Sequence, residues 1–157
     1  MKIKLSAKLA LTGLALSLAA FPATRGFSHG DTAPQAVDTE GLDPLGEEWL
    51  TENPYRIPEG EEADEKKTEQ HEAAVRVGTV GYSQNCARCH GLEGVSGGMA
   101  PDLRYLDADA YGDEWYLDRI RNGVTQNGGV KMPPFEDILN QEAAWAIRTY
   151  LETRPQD

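Results

Sequence analysis

The sequence predicts an all-α fold, and three observations favour this class. Small and apolar residues recur at helical spacing in three segments, residues that cap or end helices flank those segments, and no segment of useful strand length alternates apolar and polar residues. A chain of 157 residues is long enough for one domain. We therefore expect a single helical domain, preceded by segments that lack the helical pattern.

The first segment, residues 1–28, has the pattern of an export signal peptide. Lys2, Lys4 and Lys8 precede an apolar run, residues 9–21, that is too short to span a bilayer comfortably. The small residues of GFS fit cleavage before His29. Cleavage after Ala23 and a retained membrane anchor are the alternatives. Cleavage would remove four positive residues, change the formal net charge from −11 to −15 and leave no membrane span. We therefore expect the mature protein in the periplasm.

The acidic balance of the mature chain bears on its partners. Nucleic acid and anionic lipid are poor partners for it, because they are negatively charged themselves. The charge favours a soluble protein, which we expect to be a monomer, and a partner with a neutral or positive docking face. Free thiols do not last in an oxidising compartment, so both cysteines should be covalently engaged.

Residues 29–66 form an acidic N-terminal extension with twelve acidic and two basic residues. Four prolines and little apolar periodicity indicate an irregular segment without its own core. Trp49, Tyr55 and Ile57 can pin it to the folded domain, and a solvated tail is the alternative. The folded domain is expected over residues 67–157.

The first helix is predicted within GEEADEKKTEQHEAAVRVGTVGYSQ and should end at the cysteines. Four of its residues follow the i, i+3, i+4, i+7 spacing of a helix face: Val75, Gly78, Thr79 and Tyr82. Gly78 and Gly81 each cost a helix about 1 kcal/mol relative to alanine. Their presence indicates that another backbone or helix comes close at this point.

A glycine-rich loop, GLEGVSGGMAPDL, precedes a shorter helix in DEWYLDRIRNG. Asp113 is expected as its N-cap and Gly123 as the glycine that follows its last turn. TQNGG is expected to form a turn, and the prolines of VKMPPF exclude a helix there.

The last helix is predicted in NQEAAWAIRTYLET, with Asn140 as its cap. Trp145 lies off its apolar stripe, so we expect this ring to cover another loop or to stay near the surface. The predicted stripe consists of Ala143, Ile147, Tyr150 and Leu151.

Residues 85–91, NCARCHG, contain both cysteines of the chain and one of its three histidines. A zinc site needs three or four protein ligands, and the sequence has no second cysteine pair. A thioredoxin-like dithiol stands at a helix N-terminus after a strand, whereas these cysteines end a helical stretch. The motif favours one covalent haem c, with thioethers to Cys86 and Cys89 and iron bound by His90.

The sixth iron ligand is expected to be Met132. It follows the second helix, which can carry the chain across the haem, and two prolines stiffen its segment. Met99 comes only nine residues after His90 and is expected to pack against the haem edge. His71 lies on a charged helix face and is expected to be exposed. An unligated Met132 would leave an open face, and the alternative function is then a haem enzyme or a gas-binding sensor.

YSQNCARCHG, APDL, MPPF and AIRTYLET resemble the class I cytochrome c family over roughly residues 70–153. The resemblance implies that the first helix crosses the last one, with Gly78 and Tyr82 meeting Ile147 and Tyr150.

The same resemblance implies roles around the haem. The Pro101 carbonyl would accept a hydrogen bond from Nδ1–H of His90. Arg104 and an aromatic residue, Trp115 or Tyr105, would meet the haem propionates.

The extension, HGDTAPQAVDTEGLDPLGEEWLTENPYR, makes the resemblance closer. Together with the motifs above it is similar to the small periplasmic cytochromes that serve quinoprotein ethanol dehydrogenases. This resemblance implies a one-electron carrier and not an enzyme. Its donor would be a PQQ-dependent alcohol dehydrogenase, and its acceptor a terminal oxidase or another cytochrome.

Overall fold

The computed structural model describes residues 33–156, so the expected signal peptide and its cleavage site lie outside the described residues. Helices make up most of the regular structure, in agreement with the predicted class. The four α-helices are α1 (Glu65–Asn85), α2 (Ala87–His90), α3 (Ala110–Asn122) and α4 (Gln141–Glu152). Short 3-10 turns at Leu92–Gly94 and Leu103–Tyr105 lie between α2 and α3. Within 33–156 no helix has the length and apolar character needed to cross a membrane.

A small hairpin between α3 and α4 was not predicted. Strand β1 (Val124–Gln126) pairs antiparallel with β2 (Gly129–Met132). Asn127 and Gly128 have φ of 53° and 76°, as a tight two-residue hairpin turn requires. Strands of three and four residues are too short for alternation to be recognised, although Asn-Gly is a hairpin signal in itself.

Helices α1 and α4 cross at Gly78, as the resemblance implied. A Cβ atom on Gly78 would lie 2.0 Å from the Ala146 carbonyl oxygen and 2.8 Å from Cβ of Tyr150. The rings of Tyr82 and Tyr150 pack with centroids 5.3 Å apart. Only glycine lets the two backbones come this close, which explains its presence inside a helix.

The helix caps agree with the sequence at α4 and disagree at α3. Asn140 accepts a hydrogen bond from the Ala143 N–H at 2.9 Å, as expected for the N-cap of α4. The cap of α3 is Asp109, which accepts from the Gly112 N–H at 2.9 Å, so the prediction of Asp113 was wrong. Asp113 is instead fully buried within α3.

Asp113 stands at the centre of a buried polar network. Its Oδ1 accepts hydrogen bonds from Arg148 Nε at 3.0 Å and from Arg56 Nη2 at 2.5 Å. Its Oδ2 accepts from the Asn53 N–H at 2.9 Å. Arg56 also bonds Glu152. The network therefore joins the extension to both α3 and α4.

The described part of the extension packs against the helices, which excludes a solvated tail over this stretch. Tyr55 is buried in the core and Trp49 packs against it, whereas Ile57 is half-buried. The Gln141 side chain donates to the carbonyls of Gly46 and Glu48.

Trp145 is fully buried and packs with Tyr116, so of its two expected positions, over another loop or near the surface, the surface position was wrong. The sequence pattern of α4 could not reveal this, because both α1 and the extension cover the helix.

Candidate haem site

The NCARCHG turn brings three chemically active side chains onto one face. Helix α1 ends at Asn85, and the single turn α2 follows at once. The backbone N–H groups of Cys89 and His90 both bond the Cys86 carbonyl, at 3.1 and 3.0 Å. Residues three and four apart in a helical turn are neighbours. Both thiols and the imidazole therefore lie on the same side of the turn.

The two thiols are unlike each other, and neither forms a disulfide. Cys86 is buried and Cys89 is exposed. Burial, together with the nearby Cys89, raises the pKa of the Cys86 thiol to about 12. A thioredoxin-like dithiol stands at the start of a helix that follows a strand. Here the cysteines follow the end of α1, and residues 33–85 contain no strand, so the setting argues against dithiol chemistry.

Metal binding by clustered side chains is also unsupported over residues 33–156. No group of three or more histidine, cysteine, aspartate or glutamate side chains in that range could hold a metal ion. A structural zinc site needs four such ligands. The turn therefore does not resemble a zinc site.

His90 is held by the backbone of the loop that follows it. Its Nδ1 lies 2.8 Å from the Pro101 carbonyl oxygen. An imidazole that donates Nδ1–H to a carbonyl presents Nε2 as its ligating nitrogen. Two unpaired thiols beside an imidazole in this tautomer match the donor set of covalently attached haem. The residues present thus fit the group that the motif predicts.

Two glycines shape the loop between His90 and Pro101. Gly91 has φ of 78°, and a Cβ there would lie 1.9 Å from the Val95 carbonyl oxygen. The Tyr82 hydroxyl donates to the Gly91 carbonyl at 2.7 Å, which ties the loop to α1. Gly94, with φ of 85°, is packed under the Arg104 side chain. The loop can therefore turn back towards the imidazole immediately after the motif.

Met132 lies at the end of β2, half-buried against the core. Its segment is fastened to α3, because the Phe135 N–H bonds the Ile120 carbonyl at 2.8 Å. A Cβ on Gly123 would lie 2.4 Å from the Met132 carbonyl oxygen, so glycine allows the two segments to cross. By contrast, Met99 exposes 79% of its surface to solvent and is not packed against the core of the described chain.

Arg104 and the two aromatic candidates for the propionates have partners in the described chain. The guanidinium of Arg104 bonds the Asp102 carboxylate and the Pro155 carbonyl, and it lies over the ring of Tyr105. Trp115 is half-buried under the guanidinium of Arg119. The propionate role of these residues stays a prediction.

His71 differs from its expectation. It is half-buried, and its Nδ1 lies 2.9 Å from the Tyr55 carbonyl oxygen. The histidine therefore faces the extension and not open solvent, because the extension folds back over α1. Sequence reasoning also missed Asp102, which organises the loop around Pro101, and its two-residue spacing from Arg104 was the only signal that could have found it.

Comparison with known proteins identifies the family. Residues 73–151 match the family described as cytochrome c oxidase, cbb3-type, subunit III. A cytochrome c550 of Pseudomonas aeruginosa is 51% identical over 92% of this chain and 90% of its own length. No solved structure matches the chain significantly.

Several longer relatives contain a similar stretch. The quinohemoprotein alcohol dehydrogenase ADH-IIG of Pseudomonas putida is 34% identical over 54% of this chain, which corresponds to 11% of the enzyme. The quinohemoprotein alcohol dehydrogenase of Comamonas testosteroni is 31% identical over 51% of this chain, again 11% of the enzyme.

The family match spans both the NCARCHG turn and Met132, and the cytochrome c550 similarity extends through most of the chain. The protein is accordingly an electron-transfer cytochrome and not an enzyme, and its cofactor is covalently bound haem c. The chain belongs to the cytochrome c family.

Proposed function

We propose that the protein is a periplasmic one-electron carrier whose haem iron is bound by His90 and Met132. Its donor in this proposal is a PQQ-dependent alcohol dehydrogenase, and its acceptor a terminal oxidase or another cytochrome. One observation carries the choice of donor: stretches similar to about half of this chain occur inside longer proteins named quinohemoprotein alcohol dehydrogenases. A domain of this type is thus found joined to that class of enzyme.

The residues of the site have separate tasks in this mechanism. When bound, the haem supplies the one-electron couple of its iron. Cys86 and Cys89 would hold the group through thioethers, and His90 would provide Nε2 while the Pro101 carbonyl keeps the proton on Nδ1. Met132 would supply the second protein ligand of the iron, which would exclude small ligands and raise the reduction potential. No side chain performs acid–base chemistry.

Burial and anchoring support Met132 over Met99. A thioether–iron bond is weak, so a fixed backbone helps to keep the sulfur in place. Met132 is half-buried in a segment anchored by Phe135. Met99 is exposed and follows Gly98, whose φ is 92°.

The ligand assignment can be tested with matched methionine variants. Met132→Ala should keep the haem attached but remove the weak red-end band of the ferric spectrum, lower the potential and permit rapid carbon monoxide binding. Met99→Ala is the control and should leave all three measurements unchanged. An unchanged spectrum in Met132→Ala would reject this ligand, and rapid carbon monoxide binding by the wild type would favour an open distal face.

The donor can be tested by stopped-flow reduction of the ferric protein. A purified PQQ-dependent alcohol dehydrogenase with its alcohol should reduce it, and the same mixture without alcohol should not. The rate should depend on salt concentration, because charge mainly governs the rate of encounter. Failure of every enzyme of this class to reduce the ferric protein would reject the proposed donor.

Export can be tested by mass spectrometry of the protein from periplasmic extract. The expected species begins at His29 and carries the mass of one haem. A protein retained in the membrane with residues 1–28 would contradict the proposed location. The limits of the extension, 29–66, and of the domain, 67–157, stay predictions.

A further inference from the structure

An aspartate–arginine pair lies in the loop that carries Pro101. Nε of Arg104 is 3.1 Å from Oδ1 of Asp102, and Nη2 is 3.1 Å from Oδ2. Two parallel bonds of this kind fix the relative orientation of the two side chains. The Arg104 side chain is 8% exposed and that of Asp102 is 23% exposed, so the pair is sheltered from water.

The Asp102 carboxylate also closes the loop on both sides of Pro101. Its Oδ2 accepts a hydrogen bond from the Ser96 N–H at 3.2 Å, and its Oδ1 accepts from the Arg104 N–H at 3.1 Å. The Ser96 hydroxyl in turn donates to the Ala100 carbonyl at 2.5 Å. The residues before and after Pro101 are therefore tied to the same carboxylate.

Arg104 connects this loop to the end of the chain. Its Nη1 donates to the Pro155 carbonyl at 3.2 Å, and the Gln156 side chain donates to the Arg104 carbonyl at 2.7 Å. Its Cγ would lie 3.2 Å from a Cβ placed on Gly94. The pair is thus anchored to the segment beyond α4, and the loop does not carry it alone.

The peptide bond connects this arrangement to His90. The Pro101 carbonyl and the Asp102 nitrogen belong to one planar unit. Any contact that fixes Asp102 therefore restricts the direction of that carbonyl. The same carbonyl oxygen lies 2.8 Å from Nδ1 of His90.

We propose that Asp102 and Arg104 are positioning residues for His90, which hold the Pro101–Asp102 peptide so that its carbonyl keeps the Nδ1 proton. The proposal rests on the proposed function, in which His90 binds the iron. It gives Arg104 a task distinct from propionate binding. A well-directed Nδ1–H bond makes the imidazole a stronger donor, which favours ferric iron. Loosening the pair should therefore raise the reduction potential.

Two variants of the haem-loaded protein test this. Arg104→Lys keeps the charge but removes the double hydrogen bond, and Asp102→Asn removes the ion pair. Both should raise the potential and speed the exchange of the His90 Nδ1 proton, measured by NMR. The preference for ferric iron should fall about tenfold in Asp102→Asn, by analogy with the smallest losses of metal affinity or activity that follow removal of an outer hydrogen-bond partner. That change corresponds to about 59 mV for one electron.

Two controls separate positioning from general effects. Gln156→Ala loosens the chain end but leaves the pair intact, so only stability should change. Asp137→Asn removes a negative charge from an exposed side chain that has no ion pair within residues 33–156, and should leave proton exchange unchanged. If Asp102→Asn fails to fold, Arg104→Lys provides the same comparison without any change in net charge.

Several outcomes would overturn the proposal. In one, Arg104→Lys has the wild-type potential and the wild-type proton exchange rate. In another, Gln156→Ala shifts both quantities as much as Arg104→Lys does. Absence of a histidine-ligated low-spin spectrum in the wild type would overturn the proposed function as well. Normal ligation with unchanged variants would overturn the positioning role alone.

Discussion

Two aspartate–arginine pairs of this molecule differ in reach and burial. Asp113 and Arg148 are both 0% exposed, and the partners of Asp113 stand 35 to 60 residues away in the chain. The side chains of Asp102 and Arg104 are 23% and 8% exposed. The groups that bond the Asp102 carboxylate belong to residues within six positions of it in the chain. The Asp113 carboxylate therefore fastens distant elements, whereas the Asp102 carboxylate bonds only within its own loop, and its pair reaches a distant segment only through Arg104.

Burial explains why the two pairs should differ in their effect on stability. A buried charge without its partner is strongly unfavourable, because water cannot replace the lost interaction. A sheltered but solvent-accessible pair contributes less, because water and salt screen it. Removing the first pair should mainly change the free energy of unfolding, and removing the second should mainly change the geometry around His90.

The largest effect is expected for Asp113→Ala. This change leaves the buried Arg148 guanidinium with Glu152, 3.3 Å away, as its remaining carboxylate. We expect a loss of about 3 kcal/mol in the free energy of unfolding, at the lower end of the range for broken buried pairs. Denaturant unfolding of the haem-loaded protein measures it.

Asp118→Ala on the same helix is the matched control. Asp118 pairs with Arg119 at the surface and should cost less than about 1 kcal/mol. Equal losses in the two variants would remove the proposed distinction between buried and exposed pairs.

A smaller effect is expected for Arg56→Met, which tests how the extension is fastened. Arg56 bonds Asp113 and Glu152, and its side chain is only 15% exposed. Loss of these charged hydrogen bonds should lower the free energy of unfolding by about 1.5–3 kcal/mol. Limited proteolysis should also cut the extension faster.

Lys66→Met provides the comparison, because the side chains of Lys66 and its partner Asp43 are 75% and 55% exposed. This variant should leave the free energy of unfolding almost unchanged, because water and salt screen an exposed pair. If proteolysis and unfolding respond equally in the two variants, the extension is not fastened by Arg56.

The contrast also shows which parts of the molecule could be predicted from the sequence. Repeating patterns indicated α1 and α4, and the cost of Gly78 inside a helix indicated that another backbone crosses there. The NCARCHG motif indicated the haem. These predictions succeeded because spacing within a short segment determines which side chains share a face.

Asp113 could not be interpreted in this way. Its position near the start of a predicted helix favoured a cap, which uses only neighbouring residues. Its real partners, Asn53, Arg56 and Arg148, come from other segments, and no local pattern indicates them. The hairpin that ends at Met132 was missed because its strands are shorter than the period-2 signal requires.

The smallest expected effect concerns Asp102 and acid. Hydrogen bonds from the Arg104 side chain lower the pKa of Asp102 from 3.8 to about 2. Between about pH 4 and pH 2 the Asp102 carboxylate is protonated in the unfolded chain but still ionised in the folded chain. The stabilisation by the ionised carboxylate is therefore lost progressively as the pH falls through this range. The difference in unfolding free energy between wild type and Asp102→Asn should be constant above pH 5 and shrink between about pH 4 and pH 2.

Arg104→Met sharpens this test because it removes the cause of the lowered pKa while Asp102 stays in place. In Arg104→Met the pKa of Asp102 should return towards that of the unfolded chain, so its stability relative to Asp102→Asn should depend much less on pH than that of the wild type does. Denaturant titrations at a series of pH values between 2 and 6 distinguish the three proteins. A pH-independent difference between wild type and Asp102→Asn would mean that this carboxylate does not contribute through its charge. The Asp102–Arg104 pair would then shape its loop by hydrogen-bond geometry alone, whereas the buried Asp113 pair stabilises the fold through its charges.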